Sequence, residues 1–240
     1  MNTPFRDRII VALDMNDIVI CRRLIDALKD TIKIFKVGSE LFTACGQEAI
    51  TIIHERGLQC FLDLKFHDIP NTVANASQIV CHRGVFMFNV HASGGVLMMK
   101  AARDAVWGEA EKRGLEKPII LAVTVLTSLS ADELQQQLGV SRTLADHVVH
   151  LAQMAKEAGL DGVVASAKEI KLIKEKLGDD FKVVTPGIRP HWYSHQDQTR
   201  VVEPREAFEL GADYIVIGRP ITASANPLES AEKIIKELEK

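Results

Sequence analysis

The chain has few aromatic residues and few cysteines for its length. Phenylalanine, tryptophan and tyrosine together make up 5% of its 240 residues, which argues against a surface that stacks nucleic-acid bases. Its four cysteines are Cys21, Cys45, Cys60 and Cys81, and no two of them form a C-x-x-C pair. We therefore expect reduced, mostly buried thiols, as in a cytosolic protein, rather than a framework of disulfides.

Long apolar runs and an excess of charge are also absent from the sequence. No apolar run approaches the roughly 20 residues that a membrane-spanning helix needs, and the chain begins without an apolar signal region. The formal net charge is −3 and the pI about 6.2, so no basic field favours nucleic acid or a membrane surface. These absences predict a cytoplasmic protein that binds neither nucleic acid nor membrane.

Two common motifs are missing as well. No G-x-G-x-x-G follows the first apolar run, which disfavours an open doubly wound sheet, and no G-x-S-x-G marks a serine nucleophile. The chain instead alternates short apolar runs with amphipathic, helix-like stretches. The eight runs are Ile9–Leu13, Ile32–Val37, Gln59–Leu64, Phe86–Val90, Ile119–Val125, Gly162–Ala165, Lys182–Val184 and Tyr214–Ile217. Their nearly continuous apolar content indicates strands buried on both faces.

This alternation predicts an α/β fold, a (β/α)8 TIM barrel. Eight units in 240 residues give 30 residues each, the spacing of a parallel sheet with crossover helices. Helices should end at Gly57, Gly159 and Gly178, because glycine favours helix C-termini. No linker interrupts the pattern, so residues 1–240 are expected to form a single catalytic domain. The long irregular segment Pro190–Thr199 would be an active-site loop.

Charged residues lie where the chemistry of such barrels gathers, at the carboxyl ends of the strands. Asp63 and Lys65 are two residues apart and should share one face of their strand. Lys36 faces inward by the same alternation, and Asp68 follows in the loop. Buried lysine and aspartate are costly unless paired, so these four residues, with Asp14 beside them, predict a cluster of alternating charge. Other polar residues at these ends are His91, Thr124, Thr127 and Ser128.

Such a cluster has a chemical and a structural interpretation. Each carboxylate favours the protonated form of the neighbouring lysine, which makes a lysine here a proton donor in a poorly solvated site. The alternative is a network of salt bridges that only caps the barrel. The concentration of charges at this one end favours the chemical interpretation.

The loops after the seventh and eighth strands form a second candidate site, for phosphate. Barrels often bind phosphate there, and both loops pair glycine with arginine, as Gly187-x-Arg189 and Gly218-Arg219. Glycine lets backbone N–H groups approach an anion, and arginine offers a bidentate fork. The alternative is two ordinary turns with surface arginines.

The histidines give weaker signals. His91 either lines the site or is an ordinary hydrogen-bonded core histidine. His191 and His195 flank Trp192-Tyr193 in the long loop. A metal site needs ligands that converge from several elements, so we predict no metal here.

The decapeptide DLKFHDIPNT at positions 63–72 closely resembles the D-x-K-x-x-D-I-P-N-T motif of the orotidine 5′-phosphate decarboxylase family. The resemblance extends along the whole chain through short segments that match in order. These segments contain Asp14, Lys36, His91, Thr127, Arg189, Gln198 and Gly218-Arg219. The decapeptide is very specific, whereas a Gly-Arg phosphate loop alone occurs in many barrels.

The resemblance implies an activity and a set of site residues. The family removes CO2 from orotidine 5′-monophosphate to give uridine 5′-monophosphate, without metal or organic cofactor, in the last step of de novo pyrimidine synthesis. By resemblance, Lys65 would protonate C6, with Asp63 and Asp68 flanking it and Lys36 completing the charge network. The substrate-binding residues implied are Asp14, Lys36, Asp63, Thr72, Thr127, Pro186, Arg189, Gln198, Gly218 and Arg219. The resemblance also implies a homodimer in which Asp68 and Thr72 reach the neighbouring subunit's site.

Two other functions compete with this one. A magnesium-dependent sugar-phosphate decarboxylase or aldolase of the same superfamily shares the D-x-K-x-x-D core, but it carries a glutamate metal ligand where this chain has Lys36. A lysine in that place opposes a bound cation. A non-catalytic barrel that binds phosphate ligands would need the two Gly-Arg loops but no lysine between carboxylates.

Overall fold

The chain folds into a closed parallel barrel. A computed structural model describes residues 4–193 and 202–239, and its strands follow one another around the barrel in sequence order, with the last beside the first. The strands are β1 (Ile9–Ala12), β2 (Ile34–Gly38), β3 (Gln59–Phe66), β4 (Met87–His91), β5 (Ile119–Val123), β6 (Gly162–Val164), β7 (Lys182–Thr185) and β8 (Tyr214–Ile217). The predicted (β/α)8 barrel is confirmed, and each of the eight apolar runs supplies one strand.

The strands bury apolar side chains on both faces, which explains why the runs are nearly continuous. One set of side chains packs together in the barrel interior: Ile10, Ala12, Ile34, Phe61, Met87, Leu121, Val184 and Val216. The alternate side chains, such as Ile9 and Val11, pack outward in the larger core beneath the helices. Because side chains alternate along a strand, a residue two positions beyond an interior residue also faces the interior, nearer the carboxyl end.

The helices lie between the strands along the chain. They are α1 (Ile18–Leu28), α2 (Ser39–Cys45), α3 (Glu48–His54), α4 (Pro70–His82), α5 (Gly95–Arg113), α6 (Ala131–Gln136), α7 (Leu144–Glu157), α8 (Ile170–Leu177), α9 (Pro204–Glu209), α10 (Arg219–Thr222) and α11 (Pro227–Leu238). Helix α8 ends at Gly178 as predicted, whereas α3 and α7 end shortly before Gly57 and Gly159. Helix α6 begins with a capping box between Ser130 and Glu133.

All four cysteines are free thiols, and three of them are buried. Within residues 4–193 and 202–239, none of the helices combines the length and the apolar character that crossing a membrane requires.

Candidate active site

A polar layer follows the apolar interior at the carboxyl end of the barrel. Lys36, Asp63 and Asn89 each lie two residues beyond an interior residue of β2, β3 or β4. Lys36 is 7% exposed and Asn89 is 0% exposed. Groups buried this deeply need partners, and the three side chains satisfy one another together with Asp14 and Lys65.

Four charged side chains form a continuous series of ion pairs. The Nζ atom of Lys36 lies 2.9 Å from Asp14 Oδ1 and 3.2 Å from Asp63 Oδ2. The Nζ atom of Lys65 lies 2.8 Å from Asp63 Oδ1. The series Asp14–Lys36–Asp63–Lys65 alternates in sign and sums to zero, which limits the cost of removing these charges from water. The structure thus brings together four of the residues singled out in the sequence.

Mutual attraction outweighs burial for the two central members of the series. Burial alone would lower the pKa of Lys36, but the carboxylates of Asp63 and Asp14 raise it above its ordinary value. Burial alone would raise the pKa of Asp63, but Lys36 and Lys65 lower it below its ordinary value. Both groups are therefore charged at neutral pH, and each keeps the other in that state.

The position of the Lys36 ammonium depends on a glycine. A Cβ atom at Gly38 would lie 2.8 Å from Lys36 Nζ and 3.1 Å from Asp14 Oδ1. The first distance is too short for a carbon atom and the second is tight, so an alanine at this position would displace the ammonium from between its two carboxylates. Gly38 therefore leaves the space in which the ion pair forms.

The backbone of Lys65 has an unusual conformation. Its φ angle is 53°, in the left-handed region that costs a residue with a side chain roughly 1–2 kcal/mol. The pairing of β3 with β4 also shifts register between Leu62 and Phe66. Regular alternation predicted that Asp63 and Lys65 share one face. The two side chains do meet, but through an irregularity in the strand.

Asn89 on β4 holds this irregular segment and was not singled out from the sequence. Its Oδ1 accepts a hydrogen bond from the backbone N–H of Lys65 at 2.8 Å, and its Nδ2 donates to Asp63 Oδ1 at 2.7 Å. The polar residue of β4 that the sequence singled out was the last one, His91. The signal for Asn89 was available, because it lies two residues beyond Met87 and two before His91.

Within a single chain, Asp68 lies apart from the series of ion pairs. Its side chain is exposed, and its Oδ1 accepts a hydrogen bond from the backbone N–H of Ile69 at 2.6 Å. Thr72, on the first turn of α4, is also exposed. Ile69 between them is 66% exposed. The segment after β3 therefore leaves both polar and apolar side chains exposed in the single chain.

The ion pairs form one wall of a cavity of about 480 Å³. Both predicted Gly-Arg pairs line the same cavity, Gly187 with Arg189 and Gly218 with Arg219. Gly187 has a φ angle of 79°, which glycine adopts without steric cost. Arg189 is 6% exposed. The two loops thus direct guanidinium groups and glycine backbone towards the space beside Lys36, as an anion site requires.

A smaller apolar cavity of about 180 Å³ adjoins the first. It is lined by Phe61, Val123, Val125, Leu126, Thr127, Val164 and Ala165, while Lys36, Asp63, Lys65, Pro186 and Val216 line both cavities. Lys65 therefore lies at the junction of a polar space and an apolar one. A molecule with an anionic end and a flat ring can occupy both spaces with its ring beside the ammonium.

His91 lies next to this junction rather than among the ion pairs. Burial lowers its pKa, and the nearby His67 and Lys65 lower it further. Its Nδ1 is 3.3 Å from Ser93 Oγ, and its ring centroid is 5.5 Å from that of His67. A neutral imidazole in this place adds no positive charge beside Lys65.

The residues after β7 are partly outside the described part of the chain. Trp192 is described: its ring lies 4.3 Å from Lys233 Nζ and its Nε1 donates to Glu237 Oε2 at 3.4 Å, so it fastens this segment to α11. His195 and Gln198 lie outside the described residues, as does most of Pro190–Thr199. Over residues 4–193 and 202–239, no three His, Cys, Asp or Glu side chains converge to hold a metal ion.

Known proteins share this sequence and architecture over nearly their full length. The orotidine 5′-phosphate decarboxylase of Syntrophomonas wolfei is 49% identical over 235 residues, covering 98% of each chain. That of Moorella thermoacetica is 49% identical over 234 residues, covering 98% of this chain and 93% of the relative. The crystal structure of orotidine 5′-phosphate decarboxylase from Lactobacillus acidophilus superposes with a TM-score of 0.85 at 39% identity, covering 98% of this chain and 100% of that chain. Residues 7–234 match the orotidine 5′-phosphate decarboxylase / HUMPS family, and the chain belongs to that family.

Proposed function

We propose that this protein decarboxylates orotidine 5′-monophosphate to uridine 5′-monophosphate and CO2, the last step of de novo pyrimidine biosynthesis. One observation carries the proposal: the Lys65 ammonium pairs with Asp63 at the junction of an arginine-lined cavity and an apolar one. Membership of the family and relatives named for this activity support it. No step of the proposed reaction uses a metal or an organic cofactor.

The two cavities suggest how the nucleotide lies. Its phosphate would bind Arg189 and Arg219 with the glycine backbone beside them, and its ribose hydroxyls would bind Asp14 and Lys36. The pyrimidine would then enter the apolar cavity, where Thr127 offers a hydroxyl at the edge of the ring. This orientation brings C6 of the ring to Lys65, because that side chain lines both cavities.

Lys65 would serve as the proton donor. As the bond between C6 and the carboxylate breaks, CO2 leaves and the electron pair stays on C6, where the ring has no covalent electron sink. A fixed ammonium aimed at C6 stabilises this charge more than it stabilises the starting carboxylate. One ammonium proton of Lys65 then moves to C6 and gives uridine 5′-monophosphate, and the neutral amine regains a proton from water.

Asp63 would have two effects on this step. Its hydrogen bond with Lys65 Nζ fixes the direction of the ammonium, so no reorganisation is needed as charge develops. Its carboxylate would also lie near the substrate carboxylate, and repulsion between the two would be relieved as CO2 leaves.

The phosphate would contribute although it is remote from the reacting carbon. Binding energy from a distant group can hold the ring at C6 in the reactive position, and it then raises the rate as well as the affinity. The interpretation of Pro190–Thr199 as an active-site loop, with Gln198 as a phosphate ligand, stays a prediction from the sequence.

We also propose a homodimer of single-domain chains, residues 1–240, in the cytoplasm. Asp68 and Thr72 of each chain would complete the site of the other, which accounts for their exposure in one chain. Ile69 and Ile79 are 66% and 54% exposed on the same segment. Covering such apolar side chains is a usual source of the free energy of association.

The activity is tested by the ultraviolet absorbance of orotidine 5′-monophosphate mixed with purified protein in excess chelator. Loss of the orotate chromophore, with uridine 5′-monophosphate as the product, is the expected result. Unchanged absorbance from a protein shown to be folded by circular dichroism would contradict the proposal. It would direct attention to the magnesium-dependent sugar-phosphate chemistry.

The shared site is tested by mixing two inactive variants, Lys65→Ala and Asp68→Ala. A mixed dimer has one site with both Lys65 and Asp68 intact, so random exchange of subunits should restore about one quarter of the wild-type sites. The measurement is decarboxylation before and after exchange.

The matched control mixes Lys65→Ala with Asp63→Asn. Lys65 and Asp63 belong to the same chain's site, so each site of this mixed dimer still lacks one of them and no activity should return. If the Lys65→Ala and Asp68→Ala mixture also stays inactive although mixed dimers form, Asp68 does not act across the interface.

A further inference from the structure

We infer that Asn89 is a positioning residue, which holds the backbone of Lys65 and the carboxylate of Asp63 so that the Lys65 ammonium faces the cavity. Its effect on turnover rests on the proposed function, whereas its effect on geometry rests on the hydrogen bonds of the structure alone. Asn89 does not line either cavity, so it would act through Lys65 and Asp63 rather than on the substrate.

One side-chain amide links both ends of the Lys65 residue. Asn89 Oδ1 accepts from the Lys65 backbone N–H at 2.8 Å, and Asn89 Nδ2 donates to Asp63 Oδ1 at 2.7 Å. The same Asp63 oxygen accepts from Lys65 Nζ at 2.8 Å. The three hydrogen bonds close a loop from the Lys65 backbone through Asn89 and Asp63 to the Lys65 ammonium. The backbone N–H donor also fixes which end of the Asn89 amide is oxygen.

The Asn89 amide supplies a hydrogen-bond acceptor that the irregular part of β3 would otherwise lack. Where a strand bulges, a residue loses its regular partner in the ladder of backbone hydrogen bonds, and a buried N–H without an acceptor is unfavourable. The Lys65 N–H lies in the segment where the register of β3 against β4 shifts, and Asn89 supplies its acceptor. A φ angle of 53° at a lysine persists only where the surroundings hold it.

Asparagine is suited to this place because it both accepts and donates. Aspartate has the same shape and can still accept from Lys65, but its second oxygen would face Asp63 Oδ1. Two carboxylates at hydrogen-bond distance share one proton, which raises the pKa of one of them. Protonated aspartate would restore the missing donor, so its substitution for asparagine should make the geometry depend on pH.

The test compares Asn89→Ala and Asn89→Asp with the wild-type protein. Asn89→Ala should lower kcat by about 10²-fold, because a displacement of roughly 1 Å at a catalytic group has that effect. The KM should change little, since the phosphate and ribose contacts are intact. For Asn89→Asp, kcat should rise as the pH is lowered, and the wild-type protein should not show that rise.

The control is Ile52→Val, a substitution at a fully buried residue of α3 that lines neither cavity. It should lower the thermal midpoint without changing kcat or its pH profile, which separates loss of packing from loss of positioning. Asn89→Asp keeps the side-chain shape, so it serves as the test if Asn89→Ala does not fold.

Three results would overturn the inference: wild-type kcat in Asn89→Ala, a wild-type pH profile in Asn89→Asp, or an unchanged backbone at Lys65. The last is read from a crystal structure of the Asn89→Ala or Asn89→Asp variant and does not depend on turnover. If the wild-type protein failed to decarboxylate orotidine 5′-monophosphate, the proposed function would be wrong. The crystal structure of the variant would still show whether Asn89 positions Lys65.

Discussion

Replacing Lys65 with alanine should lower kcat for decarboxylation by at least about 10⁴-fold, because the variant loses both the proton donor and the charge that stabilises C6. Affinity for uridine 5′-monophosphate should survive, since Arg189 and Arg219 remain in the same cavity. The fold should also survive, because Asp63 keeps Lys36 as its counter-ion. Single-turnover absorbance and titration calorimetry measure the two quantities.

Two further variants sharpen this experiment. Lys65→Arg keeps a positive charge, but a guanidinium does not release its proton near neutral pH, so kcat should stay low if proton transfer is required. Arg219→Ala should give the opposite pattern. Its main effect should be a loss of affinity for the nucleotide, and kcat/KM should fall because of that loss. Normal turnover by Lys65→Ala would rule out Lys65 as the proton donor.

Replacing Asp63 with asparagine should affect both activity and stability. The change leaves Lys36, which is 7% exposed, with Asp14 as its remaining counter-ion among the described residues. Because Lys36 keeps its ion pair with Asp14, we expect the unfolding free energy to fall by about 1–3 kcal/mol. The kcat should fall by about 10²–10³-fold, because the Lys65 ammonium loses the group that directs it. Urea unfolding and steady-state kinetics measure the two effects.

The stability difference between the wild-type protein and Asp63→Asn should depend on pH in a defined way. The lowered pKa of Asp63 gives stability that is present above the unfolded value of about 3.9 and is lost as the pH falls through the folded value. The raised pKa of Lys36 gives stability that is present below about 10.4 and is lost at higher pH. The difference should therefore be constant near neutrality and vanish in acid. A difference that grows in acid would contradict the assigned ion pairs.

The barrel and most of the ion pairs were predictable because they follow from simple periodicity. Strands buried on both faces require nearly continuous apolar runs, and the eight runs are visible in the sequence. Alternation along β2 then places Lys36 two residues beyond Ile34, on the interior face. The grouping of Asp14, Lys36 and Asp63 needs no more information than the order of the strands.

The geometry at Lys65 was not predictable from the same rule. Alternation assumes a regular strand, whereas β3 shifts register between Leu62 and Phe66. The residue type does not predict a left-handed φ angle here, since Lys65 is neither glycine nor asparagine. The asparagine that holds this irregular segment belongs to the next strand, 24 residues away in the chain.

The direction of the Asp68 side chain could not be predicted from the sequence for a different reason. The sequence gives its spacing from Lys65, but a loop residue has no periodicity that fixes its direction. In one chain its carboxylate turns back to the Ile69 N–H. Whether Asp68 contributes to the site of its own subunit or of the neighbouring one depends on how the subunits assemble.

The space that Gly38 leaves for Lys36 also bears on how this chemistry could change over evolutionary time. Exchanging Lys36 for glutamate would place a third carboxylate beside Asp14 and Asp63, with Lys65 as the remaining ammonium of the series. Enlarging Gly38 first would displace the ammonium, because a Cβ atom there would lie 2.8 Å from its nitrogen. Lys36 and Gly38 therefore constrain each other, and we expect these two positions to change together rather than singly.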